Sequence, residues 1–402
     1  MIYCKRCCIP DSQEGVSFDE LGICTACRTS EQKMHISWKD RSHELKQILD
    51  KAKQEATSYD CILPISGGKD SFYQAHILTK VFNLRPLAVT FSHNWYSETG
   101  FYNLQLCLKT FGLDHIQFTP SRDLVNRLAR QSLFEIGDSC WHCHAGVGSF
   151  PLKIAVAFGI RLLIWGESIC ESSGRATYKD SVGSYDKDYF TRVSAKKTAE
   201  EMANTGCASL KELSLFRVPS SVEIANTGVW GLHLGDYIFW DEERQTEFIK
   251  SHYGWRETEM ESAFKGFKSA ECIMAGVHDY MCYHKRGFSR ATMQAAVDIR
   301  NGLMTRDEGL AIASRIDAEI PHALEYYKQL SGLTQEEFDD EIKKHRASSF
   351  DSTSVKPVQK LRKSPEVLEP FVEQILKRMQ GSTDSRLTPK DQDLLDSESW
   401  WS

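Results

Sequence analysis

Cys61-Ile-Leu-Pro-Ile-Ser66-Gly67-Gly68-Lys69-Asp70-Ser71-Phe-Tyr73 is a short apolar run that breaks into two glycines and continues as helix-compatible sequence. The order is that of a buried strand, a loop and a helix N-terminus. Gly67 and Gly68 remove side chains where a backbone has to approach a polyphosphate, and the amides opening the next helix point at the anion. Ser66 and Ser71 add hydroxyls and Lys69 adds a positive charge. A Walker A loop would need glycine where Leu63 stands and Ser or Thr where Asp70 stands, so this is not a kinase-type loop. An ordinary glycine turn between strand and helix is the plainer alternative.

The six residues Ser66-Gly-Gly-Lys-Asp-Ser71 resemble the pyrophosphate loop (PP-loop) of the ATP pyrophosphatases. That resemblance implies cleavage of ATP between its α and β phosphates, adenylation of a carbonyl oxygen, and displacement of AMP by nitrogen or sulfur.

Outward from the loop, apolar and charged periodicities alternate. Residues 38 to 57 read as a helix with Leu45, Ile48 and Leu49 on one side, and a second helix is predicted over 71 to 81. Pro86-Leu-Ala-Val-Thr-Phe91, His115 to Thr119 and Arg161-Leu-Leu-Ile-Trp165 read as further strands. Helices are predicted over 99 to 111, 121 to 136 and after Cys140 to His144. The expected fold class is therefore α/β, a parallel sheet covered on both faces with ligands at the carboxyl ends of its strands. The loops at 66 to 71, 92 to 98 and 166 to 174 leave strands at that end. Ser66, Gly67, Gly68, Lys69, Asp70, Ser71, Ser92 and Gly166 are expected to bind ATP, with Lys69, Asp70 and Glu167 catalytic. Asp70, Glu167 and Glu171 are the nearest candidates for holding Mg2+. Each acid alone also reads as a solvated loop residue.

The chain of 402 residues carries 41% hydrophobic and 26% charged residues, enough for two or three domains with a large core. A formal charge of -6 offers no global attraction for nucleic acid. No apolar run approaches the roughly 18 residues of a membrane span, and Cys4-Lys-Arg-Cys7 stands where a signal peptide would need an apolar core. A cytoplasmic protein without membrane insertion is expected. Thirteen cysteines in a reducing compartment then suggest metal ligands and buried thiols.

Cys4-x2-Cys7 and Cys24-x2-Cys27 have the spacing of a Cys4 zinc knuckle, with Cys8 outside the register. Unligated thiols are the alternative. Expected boundaries are 1–35 for the knuckle, 36–175 for the nucleotide core, 176–345 for a substrate-binding, mainly helical region completing that core, and 346–402 for a linker, helix and tail.

Between 175 and 300 the simple alternation stops. Asp236, Trp240 and His278 are candidates for a sugar ring, and Lys285, Arg290 and Arg300 for a diphosphate, while packing and surface ion pairs would account for the same residues. Thr305-x-x-Glu308 and Thr334-x-x-Glu337 read as capping boxes. Ser364-Pro365 opens an apolar stripe from Val367 to Met379 that ends at Gly381.

A second cysteine pair, Cys140-Trp-His-Cys143, precedes His144. Sulfur-transferring pyrophosphatases of tRNA place such a pair in this part of the sheet with a lone cysteine downstream, and together they hold a [4Fe-4S] cluster. Cys272 is the corresponding candidate here, for a cluster or a second Zn2+. Cys282, His142 and His144 are other potential ligands, and buried thiols without metal remain an alternative.

Taken together, the two Cys-x2-Cys pairs at 4 to 27, the 66 to 71 loop, Trp165-Gly-Glu167 and Gly287-Phe-Ser-Arg290-Ala-Thr292 resemble the N-acetyl sugar amidotransferase family over about residues 1 to 345. The resemblance implies a PP-loop ATP pyrophosphatase (adenine nucleotide alpha-hydrolase-like) domain. It implies that ATP and ammonia turn the acetamido group of a nucleotide-activated N-acetyl sugar into an acetamidino group, for lipopolysaccharide, O-antigen or related glycans. No cysteine directly follows Met1, and none lies in a Gly-x-Cys-x-Gly elbow, so the ammonia is expected from partner glutaminase and synthase-like subunits. The 140 to 143 pair departs from what that family leads one to assume and keeps open a tRNA thiolase with an iron–sulfur cluster. A non-catalytic nucleotide-binding scaffold is the third reading.

Overall fold

The structure, a computed structural model, describes residues 1–168 and 194–346. Five strands, β1 (Cys61–Pro64), β2 (Pro86–Phe91), β3 (His115–Phe118), β4 (Leu162–Trp165) and β5 (Trp230–His233), form one sheet in the order β3-β2-β1-β4-β5. Every neighbouring pair is parallel; Cys61 stands opposite Pro86, Ile62 opposite Leu163 and Leu162 opposite Trp230. The first four strands lie where the sequence predicts them. β5 does not: Trp-Gly-Leu-His is four residues with one aliphatic side chain, too short and mixed to announce a buried strand.

Alternate residues of the strands feed two cores. Cys61 and Leu63 of β1, Ala88 of β2, Leu162 and Ile164 of β4 and Leu232 of β5 pack against helices Trp38–Glu55, Lys69–His76, Glu98–Phe111 and Glu242–Tyr253. Ile62, Leu87, Val89 and Leu163 face helices Arg122–Ile136 and Trp141–Phe158. A strand buried on both faces reads as a continuous apolar run, which is how β1, β2 and β4 appear in the sequence. Each such aliphatic side chain contributes about 1.5–3 kcal/mol relative to an exposed one.

The helix after the loop begins at Lys69, two residues earlier than predicted, and from Ile77 to Val81 it loosens into a π turn. Both expected capping boxes close, Thr305 with Glu308 and Thr334 with Glu337. Two further boxes, Thr198 with Glu201 and Ser220 with Glu223, cap short helices that the sequence reading leaves out.

The Gly287 to Thr292 motif is a corner between helices Ala275–Arg286 and Arg290–Arg300. Gly287 ends the first helix with φ +82°, and Phe288 is buried. The second helix has no side-chain cap of its own. Its cap comes from Asp317, which accepts hydrogen bonds from the Ser289 amide at 2.8 Å, the Ala291 amide at 2.9 Å and the Thr292 hydroxyl at 2.6 Å. Replacing Asp317 with alanine removes this remote cap and leaves buried donors bare, so a loss of about 3 kcal/mol is expected in urea unfolding. A midpoint matching the parent protein would contradict that assignment.

The N-terminal cysteines pack against Ala295 and Ala296 of the Arg290–Arg300 helix and Ala313 of helix Arg306–Ile316. Arg306 Nε donates to the carbonyls of Cys4 and Cys7, both at 3.0 Å. No helix among the described residues is long and apolar enough to cross a membrane. Glu171 and the Val367 to Met379 stripe lie outside the described residues.

Candidate functional site

In a sheet ordered β3-β2-β1-β4-β5 the winding reverses between β1 and β4, and the connections leave a crevice beyond the carboxyl ends of those two strands. The loop after β1 and the turn after β4 both open into it. A cavity of about 530 Å³ lies there, walled by Ser66, Gly68, Lys69, Asp70, Gly166 and Glu167 among others.

Gly67 has φ +89°, and a Cβ at this position would stand 2.5 Å from the Gly100 carbonyl oxygen. No side-chain-bearing residue fits there without moving backbone. Ser66 Oγ accepts from the Gly68 amide at 3.3 Å; Ser71 Oγ accepts from the Ser66 amide at 3.3 Å and donates to the Gly68 carbonyl at 3.1 Å. The two hydroxyls therefore shape the loop from within. Trp255 Nε1 ties it down from outside, donating to the Gly67 carbonyl at 3.0 Å. The helix beginning at Lys69 has no side-chain cap, so its positive end faces the crevice.

Lys69 is 3% exposed, and its ammonium lies 2.6 Å from the Asp70 carboxylate and 3.8 Å from Glu242. Burial pulls its pKa down, but Asp70, Glu242 and Glu167 more than offset that and hold it charged. For Glu242, burial opposes ionisation, yet Lys268 and then Lys69 bring it down to about 2. Glu167 sits at the exposed mouth, where crowding by protein and then the Asp70 charge raise it to about 7. Among the described residues nothing hydrogen-bonds or ion-pairs with the Glu167 carboxylate. It is thus the acid of this set with capacity to meet a cation, whereas Asp70 and Glu242 are neutralised by lysines. An oxygen donor of this kind suits Mg2+, a hard cation, with Glu167 as the open carboxylate and Asp70, both of whose oxygens accept from Lys69 at 2.6 and 2.7 Å, beside it.

Ser92 is buried; its amide donates to the Phe118 carbonyl at 2.8 Å and its hydroxyl accepts from the Asn94 amide at 3.3 Å. Its neighbour His93, rather than Ser92, lines the cavity. Of the six residues considered for substrate, Arg290 lines this cavity, bound to Asp279 at 2.6 Å. Trp240 and Arg300 line a second cavity of about 640 Å³ that shares Glu167 with the first. Asp236 accepts a hydrogen bond from the Ser168 hydroxyl, and His278 and Lys285 converge on Asp138, at 2.8 and 3.6 Å. These three line neither cavity.

Cys4, Cys7, Cys24 and Cys27 bring their sulfurs within 4.8 Å of one another, with Cys7 to Cys24 at 3.7 Å and Cys4 to Cys27 at 4.0 Å. Four sulfurs about 2.3 Å from a tetrahedral Zn2+ stand about 3.8 Å apart, so the site fits such an ion. Amides of Arg6, Cys7 and Cys24 point at Cys4 Sγ from 3.3 to 3.5 Å, as a thiolate would require. Cys8 donates instead to the Thr292 carbonyl.

Cys140 groups within 4.8 Å with Asp138 and His278, not with Cys143 and Cys272. Cys140, Cys143 and Cys272 nevertheless belong to one apolar cluster, and burial, then the charges of Cys140 and Cys143, push the Cys272 thiol up. Cys143 lines the first cavity. Glu271 and His93 also face it, each with a buried side-chain atom, Oε2 and Nε2, that has no protein partner. Glu242, Lys268, Glu271 and His93 are missed by sequence reasoning. The Asp241-Glu242-Glu243 run and the Lys265 to Lys268 region offered only charge, with nothing to say it folds back onto β1.

Residues 242–364 match the family described as LPS biosynthesis protein WbpG-like, C-terminal domain. Over 155 residues the chain is 24% identical to an uncharacterized protein of Methanocaldococcus jannaschii, an overlap of 38% of this chain and 54% of that one. The chain thus spans about half the length of the curated relative it matches. Among solved structures, the NMN synthetase from Francisella tularensis is 17% identical, with 36% of this chain and 61% of that chain covered and a TM-score of 0.27.

Proposed function

We propose that this chain is an ATP-dependent, AMP- and pyrophosphate-forming amidotransferase. It converts the acetamido group of a nucleotide-activated sugar to an acetamidino group, in lipopolysaccharide, O-antigen or related surface-glycan synthesis, with ammonia from partner glutaminase and synthase-like subunits. The observation that carries the reading is the meeting of the 66 to 71 loop with Glu167 and Arg290 at the point where the sheet reverses. The likeness of residues 242–364 to a lipopolysaccharide-biosynthesis domain supports a sugar substrate.

The chemistry answers a physical difficulty. An amide oxygen is a poor leaving group, and ammonia cannot expel it unaided. In the proposed reaction the acetamido oxygen attacks the α-phosphorus of ATP, forming the P–O bond while the bond to the β-phosphate oxygen breaks. Pyrophosphate departs into the Ser66 to Ser71 loop, where the helix N-terminus and the Lys69 ammonium meet its charge. Ammonia then adds to the activated carbon, gives up one proton, and the carbon–oxygen bond breaks to release AMP and the amidine. Bound Mg2+, held by Asp70 and Glu167, would neutralise phosphate charge. Zn2+ at Cys4, Cys7, Cys24 and Cys27 would be structural.

The test is incubation with ATP, ammonium and UDP-linked acetamido sugars, followed by mass spectrometry. The expected product is lighter by the difference between O and NH, and absence of that product with every such sugar would defeat the reading. The packing of Cys140, Cys143 and Cys272 in one cluster supports a second reading, sulfur transfer to tRNA by a chain that holds an iron–sulfur cluster on those thiols. A brown, iron-containing protein after anaerobic purification would point that way.

A further inference from the structure

The second cavity is built across two parts of the chain that lie far apart in sequence. One wall is Arg6, Lys33 and Met34, from the cysteine knuckle and the helix Thr25–Lys33 that grows out of it; another is Trp240 and Arg300. Glu167 stands where this cavity meets the first.

Two of its polar groups have nothing to bind. Trp240 is 4% exposed, and its indole N–H has no partner; one Arg300 guanidinium nitrogen, Nη1, is likewise buried and unmatched. Buried donors without acceptors are costly, and both belong to side chains that line a cavity of ligand size, so a small turn of either side chain toward a ligand's oxygen atoms would satisfy it. A guanidinium suits a diphosphate, and an indole N–H suits a sugar hydroxyl or carbonyl oxygen.

The knuckle also fixes where Trp240 stands. The Lys33 ammonium donates to the Trp240 backbone carbonyl and lies 4.3 Å from the centre of the Phe239 ring. Arg6 is steadied by Glu31, which Arg28 grips at 3.0 Å. The metal-binding thiols, the helix and the cavity wall are thus one continuous piece.

We propose that the second cavity takes the nucleoside diphosphate portion of the acceptor, and that the N-terminal metal knuckle is its wall, so that metal occupancy governs acceptor binding while leaving ATP binding in place. The proposal rests on the amidotransferase reading for the identity of the acceptor. It orients that acceptor with its diphosphate toward Arg300 and Arg6 and its acetamido end toward Glu167 and the phosphate loop.

The experiment measures binding of UDP and of a fluorescent ATP analogue to the full chain. Arg300→Gln, Trp240→Phe and Arg6→Gln are compared with the parent protein, before and after chelation. UDP affinity is expected to fall about tenfold or more in Arg300→Gln, less in the other two, and to vanish on chelation, with ATP-analogue affinity unchanged. Should chelation unfold the chain and abolish ATP binding too, the three metal-loaded variants still decide the matter. Failure of the parent protein to bind UDP, or equal UDP affinity in parent and all three variants, overturns the proposal. Acetamidine formation is scored separately: turnover with no change in UDP binding among the variants keeps the enzyme and removes this site, and loss of UDP binding without any turnover does the reverse.

Discussion

Lys69→Ala is expected to eliminate ATP-dependent product formation, with the rate falling at least about 10²–10³-fold, the typical effect of removing one fixed charge-stabilising group. The reason lies in what surrounds it. Lys69 is a buried cation that three carboxylates, on Asp70, Glu242 and Glu167, keep protonated. It is therefore a permanent positive charge beside the loop, in place before any phosphate arrives, and its stabilisation of a departing pyrophosphate needs no reorganisation. Its removal also exposes those acids to one another. Breaking a buried pair costs about 3–5 kcal/mol, less here because Asp70 remains partly in water, so some loss of stability should accompany the loss of rate. Unfolding curves taken beside the kinetics separate the two effects. A folded Lys69→Ala protein with parental turnover would remove Lys69 from the chemistry.

Stripping the metal should have the other large effect. The purified chain is expected to carry one zinc per molecule, and Cys7→Ser to carry none. Folding of short zinc knuckles draws on about 10–16 kcal/mol of metal binding, and a segment of this size has little core to replace it. The apolar contact it does make, with Ala295, Ala296 and Ala313, runs through the four cysteines themselves together with Cys8 and Ile9. Hydrogen exchange should then show residues 1 to 33 losing protection in Cys7→Ser, with the sheet retaining it. Equal protection in the metal-free and parent proteins would refute a metal-built fold.

How far the sequence speaks depends on whether a feature is local. The loop, four strands and the helices between them are legible because burial on both faces of a sheet prints itself as unbroken apolar runs punctuated by glycine and capping residues. The four N-terminal cysteines are legible because two Cys-x2-Cys pairs have the spacing that a tetrahedral metal site requires. What escapes is what arrives from a distance. β5 is too short to carry a period, and Glu242, Lys268 and Glu271 are ordinary surface residues until helix Glu242–Tyr253 and the segment after it pack beside the loop. The role of Trp255 as a donor to Gly67 depends on a contact spanning 188 positions. His278 and Lys285, whose residue types suit a ligand, both meet Asp138 in the fold, a contact that no local pattern announces.

The clasp between Arg306 and the carbonyls of Cys4 and Cys7, together with the contact of Cys8 with Thr292, joins residues 4–8 to partners 284 to 302 positions further along the chain. On the ribosome those first residues emerge long before the segment that covers them. The nascent knuckle therefore presents an uncovered face until Thr292 and Arg306 have been made, because closing so wide a loop has to wait for the second half of the pair to exist.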